Sequence, residues 1–327
     1  MKLEDIRKIG VVGAGTMGFG IALNFALAGY PTRINDVSDE VMGHSLGNIE
    51  AALKLMHEEK LVTAGEAKAA LGRIMPTLDL AMVARDSDFI TEVIVERSAD
   101  KKALFNKLDR LCSPTTVLAS NTSWLTLSDF GSEVHRQEKL VVTHYFAPAH
   151  LVPGVEVVRS PRTSDETFQL ACDLMKAIGK VPIRVVQERS GSLINRIQDA
   201  MRHEANKLWA EGVASAEDIE LGITSTFGFR SPHEGPFYHF DLAGMWRWPR
   251  DVREGIADAE LEGQTGLTRE TREKIWQQYA DGKTWFVDPA KHQEAIERRD
   301  RDFARRLKAL YRSRQGKQAG PARHRNQ

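Results

Sequence analysis

The feature that most constrains this chain is a glycine pattern set between two kinds of hydrophobic periodicity. Ile9-Gly10-Val11-Val12 is an apolar run the length of a short buried strand, and Gly13-Ala14-Gly15-Thr16-Met17-Gly18 follows it at once. Phe19, Ile21, Ala22, Phe25 and Ala26 then recur at helical spacing. Glycine at 13 permits a tight turn, at 15 a close approach of backbone to a pyrophosphate, and at 18 close packing of helix on strand. The free N–H groups of the first helical turn suit the phosphates. A second strand, 31–35, ends in Asp36, whose carboxylate matches a ribose 2′-hydroxyl and repels a 2′-phosphate. The pattern therefore reads as an NAD site rather than an NADP site, against the competing reading of a strand-to-helix turn without a ligand.

Strand-like segments at 8–12, 31–35, 88–93, 116–120, 139–143, 154–158 and 181–186 alternate with helical ones through residue 188. That alternation predicts an α/β fold, a Rossmann-type doubly wound sheet covered by helices, over 1–188. Residues 39–73 form a charged, alanine- and leucine-rich stretch that reads as an inserted helical hairpin, solvated by default, turning near Leu61–Gly65. From Ser190 the strand signal stops. Leu193, Ile194, Ile197, Met201, Ala205 and Leu208 describe one amphipathic helix to about Gly212, and further helices are expected near 216–226, 236–257, 268–281 and 289–314. Residues 189–314 are thus a smaller all-α domain. Its long apolar helix face packs either on a partner subunit or within its own domain. The polar, basic stretch 315–327 lacks periodicity and is expected to be disordered.

The 327 residues suffice for two cores, and 45 basic residues balance 45 acidic ones, so no charge excess points to nucleic acid or a membrane surface. Two cysteines, Cys112 and Cys172, make no disulfide framework and read as buried thiols. No metal-ligand cluster is visible, no apolar run reaches membrane-spanning length, and the first strand begins too early for a secretory leader, so a cytoplasmic protein is expected.

In open α/β sheets, ligands sit beyond the carboxyl ends of the strands. Strand 139–143 runs into His144, a two-proline loop spans Ala147 to Gly154, and the next strand carries Glu156 between Val155 and Val157. The loop can return the carboxylate to the imidazole, where it fixes the tautomer and leaves the other ring nitrogen usable as a base. Strand 116–120 runs into Ser120-Asn121-Thr122-Ser123, and Asn195 opens the first helix of the second domain. Base, hydroxyl and amide then converge where the domains meet. The plainer readings are a solvated histidine with an unrelated glutamate, Ser123 as a helix cap, and Asn195 as an interdomain hydrogen bond.

Taken in order, Gly13–Gly18 with Asp36, Glu92-Val93-Ile94-Val95-Glu96 followed by Lys101 and Lys102, Ser120-Asn121-Thr122-Ser123, His144 with Glu156, and Asn195-Arg196 resemble the 3-hydroxyacyl-CoA dehydrogenase family over nearly the whole chain. The resemblance implies NAD-dependent oxidation of an L-3-hydroxy acid or 3-hydroxyacyl-CoA to the 3-keto product, as in fatty-acid metabolism, by a homodimer. It implies that His144 is the general base, Glu156 its orienting partner, and Ser123 and Asn195 donors to the substrate oxygen. Gly13, Gly15, Thr16, Met17, Gly18, Asp36, Glu96, Lys101 and Asn121 form the implied cofactor-binding set.

The segment Phe227-Gly228-Phe229-Arg230-Ser231-Pro232-His233-Glu234-Gly235-Pro236-Phe237 has a longer glycine spacing than acyl-CoA enzymes usually show, and looks like the gulonate dehydrogenase (lambda-crystallin) and carnitine dehydrogenase branch. Arg230 would there bind the carboxylate of a small free hydroxy acid, a group that a CoA thioester lacks. A structural ion pair is the alternative. Ala147 stands where many relatives have asparagine, and Trp246 and Trp248 have no counterpart, reading as aromatic core or as a substrate wall. A small free acid is the slightly favoured substrate, an acyl-CoA thioester the alternative, and a non-catalytic NAD-binding structural protein the third possibility.

Overall fold

The computed structural model describes residues 1–244, 268–280 and 283–315. The chain divides after His203 into two compact units. The first unit is built on one sheet of eight strands in the order β3-β2-β1-β4-β5-β6-β7-β8. These are β1 (Ile9–Val12), β2 (Thr32–Asn35), β3 (Ile74–Thr77), β4 (Phe89–Glu92), β5 (Val117–Ser120), β6 (Leu140–Tyr145), β7 (Gly154–Val158) and β8 (Val181–Val185). The chain winds outward from β1 to β3, then restarts at β4 on the other side of β1. The switch point, and with it the crevice for a ligand, therefore lies between β1 and β4.

Every neighbouring pair is parallel except β6 and β7. The short loop between those two is too brief for the crossover that a parallel pair needs, so it closes a hairpin-like return. β1, β4 and β5 are buried along their whole length, because helices cover both faces of the sheet. On one face α1 (Gly18–Leu27) and α7 (Asp165–Ala177) contribute Ile21, Leu23, Phe25, Phe168 and Leu174. On the other, α4 (Leu80–Asp86), α5 (Ser98–Leu111) and α6 (Leu127–Phe130) bring Val83, Phe105, Leu108 and Phe130.

Two features differ from the sequence expectation. Ile74–Thr77 adds an edge strand beside β2 that no alternation announces, and Pro76 is tolerated there because an edge strand has an unpaired side. The hairpin of α2 (Asp39–Glu58) and α3 (Ala64–Arg73) is not simply solvated. It buries Met42, Ile49, Leu53, Met56 and Ala70 in the same core as α1. Ser38 caps α2, and a capping box of Thr63 with Glu66 starts α3.

α8 (Ile194–Ala210) follows β8 and leads into the second unit, whose described elements are all helical: α9 (Ala216–Ser225), α10 (Phe227–Arg230), α11 (Pro236–Leu242), α12 (Arg269–Ala280) and α13 (His292–Gln315). Asp241, fully buried, organises this unit by accepting hydrogen bonds from the backbone of Phe286 (2.6 Å) and Val287 (3.0 Å) and from the Tyr279 hydroxyl (3.1 Å). The helix expected over 236–257 ends at Leu242. Trp246, Trp248 and the tail from residue 316 lie outside the described residues. No described helix is long and apolar enough to cross a membrane.

Candidate active site

The glycine turn has the shape its sequence requires. Gly13 adopts φ +108°, and a Cβ there would sit 2.4 Å from the Val93 carbonyl oxygen. A Cβ on Gly18 would lie 1.9 Å from the Gly13 carbonyl oxygen, so α1 starts where only hydrogen fits. At Gly15 a Cβ would meet nothing, which leaves the turn open on the side where a diphosphate must approach the helix. Asp36 accepts the Ala14 N–H on Oδ2 (2.8 Å) and the Val37 and Ser38 N–H groups on Oδ1, tying the turn to the end of β2. A cavity of about 390 Å3 opens here, walled by Val12, Leu78, Ile94 and Leu104 with Asp36 among its polar groups. Apolar walls for a base, a carboxylate for a ribose and open helical N–H groups for phosphates fit NAD. Thr16 is exposed and Met17 half-buried in the turn that enters α1.

At the carboxyl end of β6 the antiparallel register sets His144 directly opposite Glu156, with both side chains on one face. His144 Nδ1 lies 2.7 Å from Glu156 Oε2, and both side chains are buried. Burial opposes ionisation of Glu156, but the hydrogen bonds from His144, Ile194 and Leu193 outweigh it and hold the carboxyl below its ordinary range. An ionised carboxylate at Nδ1 requires the N–H there and leaves the Nε2 lone pair free. Nε2 faces Ser123 Oγ at 3.2 Å. The Phe146 ring packs against the imidazole with centroids 4.6 Å apart.

Asn195 lies in the first turn of α8 and donates through Nδ2 to the Ser123 carbonyl at 3.3 Å. The second oxygen of Glu156 accepts the N–H groups of Leu193 (2.9 Å) and Ile194 (2.8 Å). One buried carboxylate thus sets the imidazole and also pins the start of the helix that carries Asn195. Asn121, read as a cofactor residue, accepts the Tyr145 N–H on Oδ1 at 2.8 Å and so braces β6 beside His144.

The profile described as "3-hydroxyacyl-CoA dehydrogenase, NAD binding domain" matches residues 8–189, and that for "3-hydroxyacyl-CoA dehydrogenase, C-terminal domain" matches 191–284. The chain belongs to the 3-hydroxyacyl-CoA dehydrogenase family. It is 31% identical over 269 residues to the human mitochondrial hydroxyacyl-coenzyme A dehydrogenase, covering 80% of this chain and 83% of the human one. The 3-hydroxybutyryl-CoA dehydrogenase of Clostridioides difficile is 35% identical over 239 residues, 73% of this chain and 83% of that one. Among solved structures, the 3-hydroxyacyl-CoA dehydrogenase of Archaeoglobus fulgidus superposes with a TM-score of 0.70 at 25% identity, over 93% of this chain and 99% of that one. As a member of this family the chain is an NAD-dependent oxidoreductase.

For this 3-hydroxyacyl-CoA dehydrogenase family member, the structure also shows two side chains that the sequence left unassigned, Lys180 and Asn24. Lys180 is buried at the start of β8 and donates to the carbonyls of Ala149 (2.7 Å) and Val152 (2.8 Å), while Asn24 of α1 donates to Ala149 as well (3.0 Å). Together they clamp the loop that links His144 to Glu156. Burial lowers the Lys180 ammonium to about 8. Lys101 is buried between Glu92 (2.6 Å) and Glu96 (3.2 Å). Both cysteines are buried, and burial pushes the Cys112 thiol up to about 11, which makes it a poor nucleophile.

Arg230 lies in the second unit at the end of α10. Its Nε is 3.9 Å from the buried carboxylate of Glu234, its Nη1 is 3.5 Å from His239 Nε2, and His239 Nδ1 is 2.9 Å from the same Glu234 oxygen. A cavity of about 290 Å3 is lined by these three residues with Phe227, Ser231 and Phe240.

Proposed function

We propose that the chain interconverts an L-3-hydroxyacyl-CoA thioester and its 3-keto form with NAD, and that His144 is the general base. The single observation carrying this reading is the line Glu156–His144–Ser123, a buried contact of 2.7 Å followed by a half-buried one of 3.2 Å. In the oxidative direction His144 Nε2 takes the hydroxyl proton of the substrate, and Glu156 stabilises the imidazolium that forms. Bound NAD supplies the acceptor for the hydride that leaves the same carbon. The Ser123 hydroxyl donates to the oxygen as it becomes a carbonyl. Asn195 has two amide N–H groups, so one holds the Ser123 carbonyl while the second remains for the substrate. In the reverse direction the imidazolium returns its proton to the ketone oxygen. A protein that only bound NAD would need none of these side chains.

The thioester is preferred over a free hydroxy acid because Arg230 already faces Glu234, so a substrate carboxylate would compete with a buried internal one. The free-acid reading keeps one supporting observation, the guanidinium on the wall of a cavity. NAD reduction measured side by side with L-3-hydroxybutyryl-CoA, L-3-hydroxybutyrate, L-gulonate and L-carnitine decides between them. The thioester is expected to give the highest kcat/KM, and Arg230→Ala to change it by less than about threefold. A free acid that wins, and loses about 10- to 100-fold in the variant as expected for a charged hydrogen-bonded pair, makes Arg230 its anchor and overturns the thioester assignment. NAD binding without turnover of any of the four would favour the non-catalytic reading.

The homodimer rests on the apolar face of α8. Ile197, Met201 and Trp209 are more than 40% exposed, and Val213 beyond the helix is 65% exposed. A second copy of the chain would cover such a row. Sedimentation equilibrium is expected to give twice the chain mass of 36.6 kDa, and the Met201→Glu variant the single mass. A monomeric native protein at micromolar concentration would remove this assignment.

A further inference from the structure

Three consecutive backbone N–H groups follow β5 at Ser123, Trp124 and Leu125, and they converge on one oxygen. Glu96 Oε1 accepts from Ser123 N (2.9 Å), Trp124 N (2.9 Å), Leu125 N (3.3 Å) and the Thr122 hydroxyl (2.5 Å). A run of N–H groups pointing inward is an anion-binding nest, of the kind that elsewhere holds phosphate. Here the chain fills the nest with its own carboxylate. The acid is fixed from behind: its other oxygen lies 3.2 Å from Lys101 Nζ, and that ammonium is 2.6 Å from Glu92 Oε1. Glu92 Oε2 accepts the Ser120 hydroxyl at 2.5 Å, and Ser120 Oγ in turn accepts the Thr122 N–H at 3.1 Å. The hydrogen bonds therefore run from Ser120 through Glu92, Lys101 and Glu96 and back into residues 122–125, a closed ring around the segment that presents Ser123.

We propose that Glu96 is the positioning residue of Ser123, filling the turn after β5 so that the serine hydroxyl stays on His144 Nε2. This rests on the role given above to His144 and Ser123, and it differs from a cofactor-contact role for Glu96. In Glu96→Gln one of the two oxygens becomes an NH2 group, which must face either the Ser123 and Trp124 N–H groups or the Lys101 ammonium, all of them donors, so the ring cannot stay satisfied and the turn reorganises to recover partners. The Ser123 hydroxyl then departs from His144, although neither residue has changed. Glu96 holds its charge for this purpose across ordinary pH. Burial raises its carboxyl, but the hydrogen bonds from Thr122, Trp124 and Leu125 together with the Lys101 charge bring it down to about 2.

A double-mutant cycle between Glu96→Gln and Ser123→Ala tests the proposal on the full chain. The assay is NAD reduction with L-3-hydroxybutyryl-CoA, or with the free acid if the substrate comparison selects one. Glu96→Gln is expected to lower kcat about 30-fold, in line with misplacement of a reacting group, and to leave KM for NAD within about twofold. In the Ser123→Ala background the same change is expected to cost less than about threefold, because the hydroxyl it positions is gone. Hydrogen exchange at the amides of 123–125 is expected to speed up in Glu96→Gln with the rest of the sheet unchanged. A raised KM for NAD at unchanged kcat would make Glu96 a cofactor contact and overturn the proposal. Fully additive losses would overturn it too, leaving Ser123 in its role. An unimpaired Ser123→Ala enzyme would instead remove the reading of Ser123 beneath it. Should Glu96→Gln not fold, Thr122→Val removes one of the four donors and replaces it in the same cycle.

Discussion

His144→Gln is expected to lower kcat about a thousandfold while changing the affinity for NAD by less than about twofold. Glutamine keeps a polar side chain of similar reach that can still hydrogen-bond to Glu156, so the β6–β7 pair should hold. It has no lone pair basic enough to take the hydroxyl proton, and that step alone is worth about 10²- to 10⁴-fold in comparable enzymes. The residues that shape the NAD cavity belong to β1, β2, α4 and α5 and their flanking turns, none of which touches the imidazole. Steady-state NAD reduction and a fluorescence titration with NADH measure the two quantities separately. Turnover within about tenfold of the parent would remove His144 from the base role. A parallel loss of NADH binding would mean that the substitution had damaged the first unit as a whole.

The parts of this molecule that the sequence announces are those with a local signature. The glycine turn between Val12 and Phe19 could be read because steric demand at Gly13 and Gly18 leaves glycine as the residue that fits. His144 and Glu156 could be paired because a loop with two prolines joins two β-branched runs, and the return strand then has to come back alongside. β3 could not be read: Ile-Met-Pro-Thr is short, contains proline and owes its strand character to β2 beside it. The deeper reason for what was missed lies in long-range hydrogen bonding. Glu96 meets amides 27 to 29 residues away, Glu156 meets amides 37 and 38 residues away, and Lys180 meets carbonyls 28 and 31 residues away. Contacts from a side chain to a distant backbone group impose no periodicity on either stretch. A family resemblance marks Glu96 and Lys101 as belonging to the set, but says nothing about which atoms they hold.

Glu156→Gln and Glu156→Ala are expected to separate two duties that one carboxylate performs. In Glu156→Gln the amide oxygen can still accept the Leu193 and Ile194 N–H groups, so the start of α8 and Asn195 should stay in place. The amide N–H then turns toward His144 Nδ1, which favours the tautomer with the proton on Nε2, the nitrogen that must act as base. A kcat loss of about 10³- to 10⁴-fold is expected, by analogy with removal of the orienting acid elsewhere, with a loss of stability limited to what the ionised carboxylate contributes. Glu156→Ala loses both duties. Its two amides fall back on water because Leu193 is 41% exposed, so the further destabilisation is set at about 2 kcal/mol rather than the full cost of two buried unpaired donors. The pH dependence carries the sign. The carboxyl of Glu156 is lowered from 4.5 in the folded chain, so its ionised form contributes stability that is complete above that pH and is lost as pH falls through the folded value. The stability gap between parent and Glu156→Gln, read from urea unfolding, should therefore be constant above about pH 6 and close as the solution is acidified below 4.5. A gap that widens on acidification would mean that Glu156 is already protonated in the native protein. It would then be unable to stabilise an imidazolium at His144.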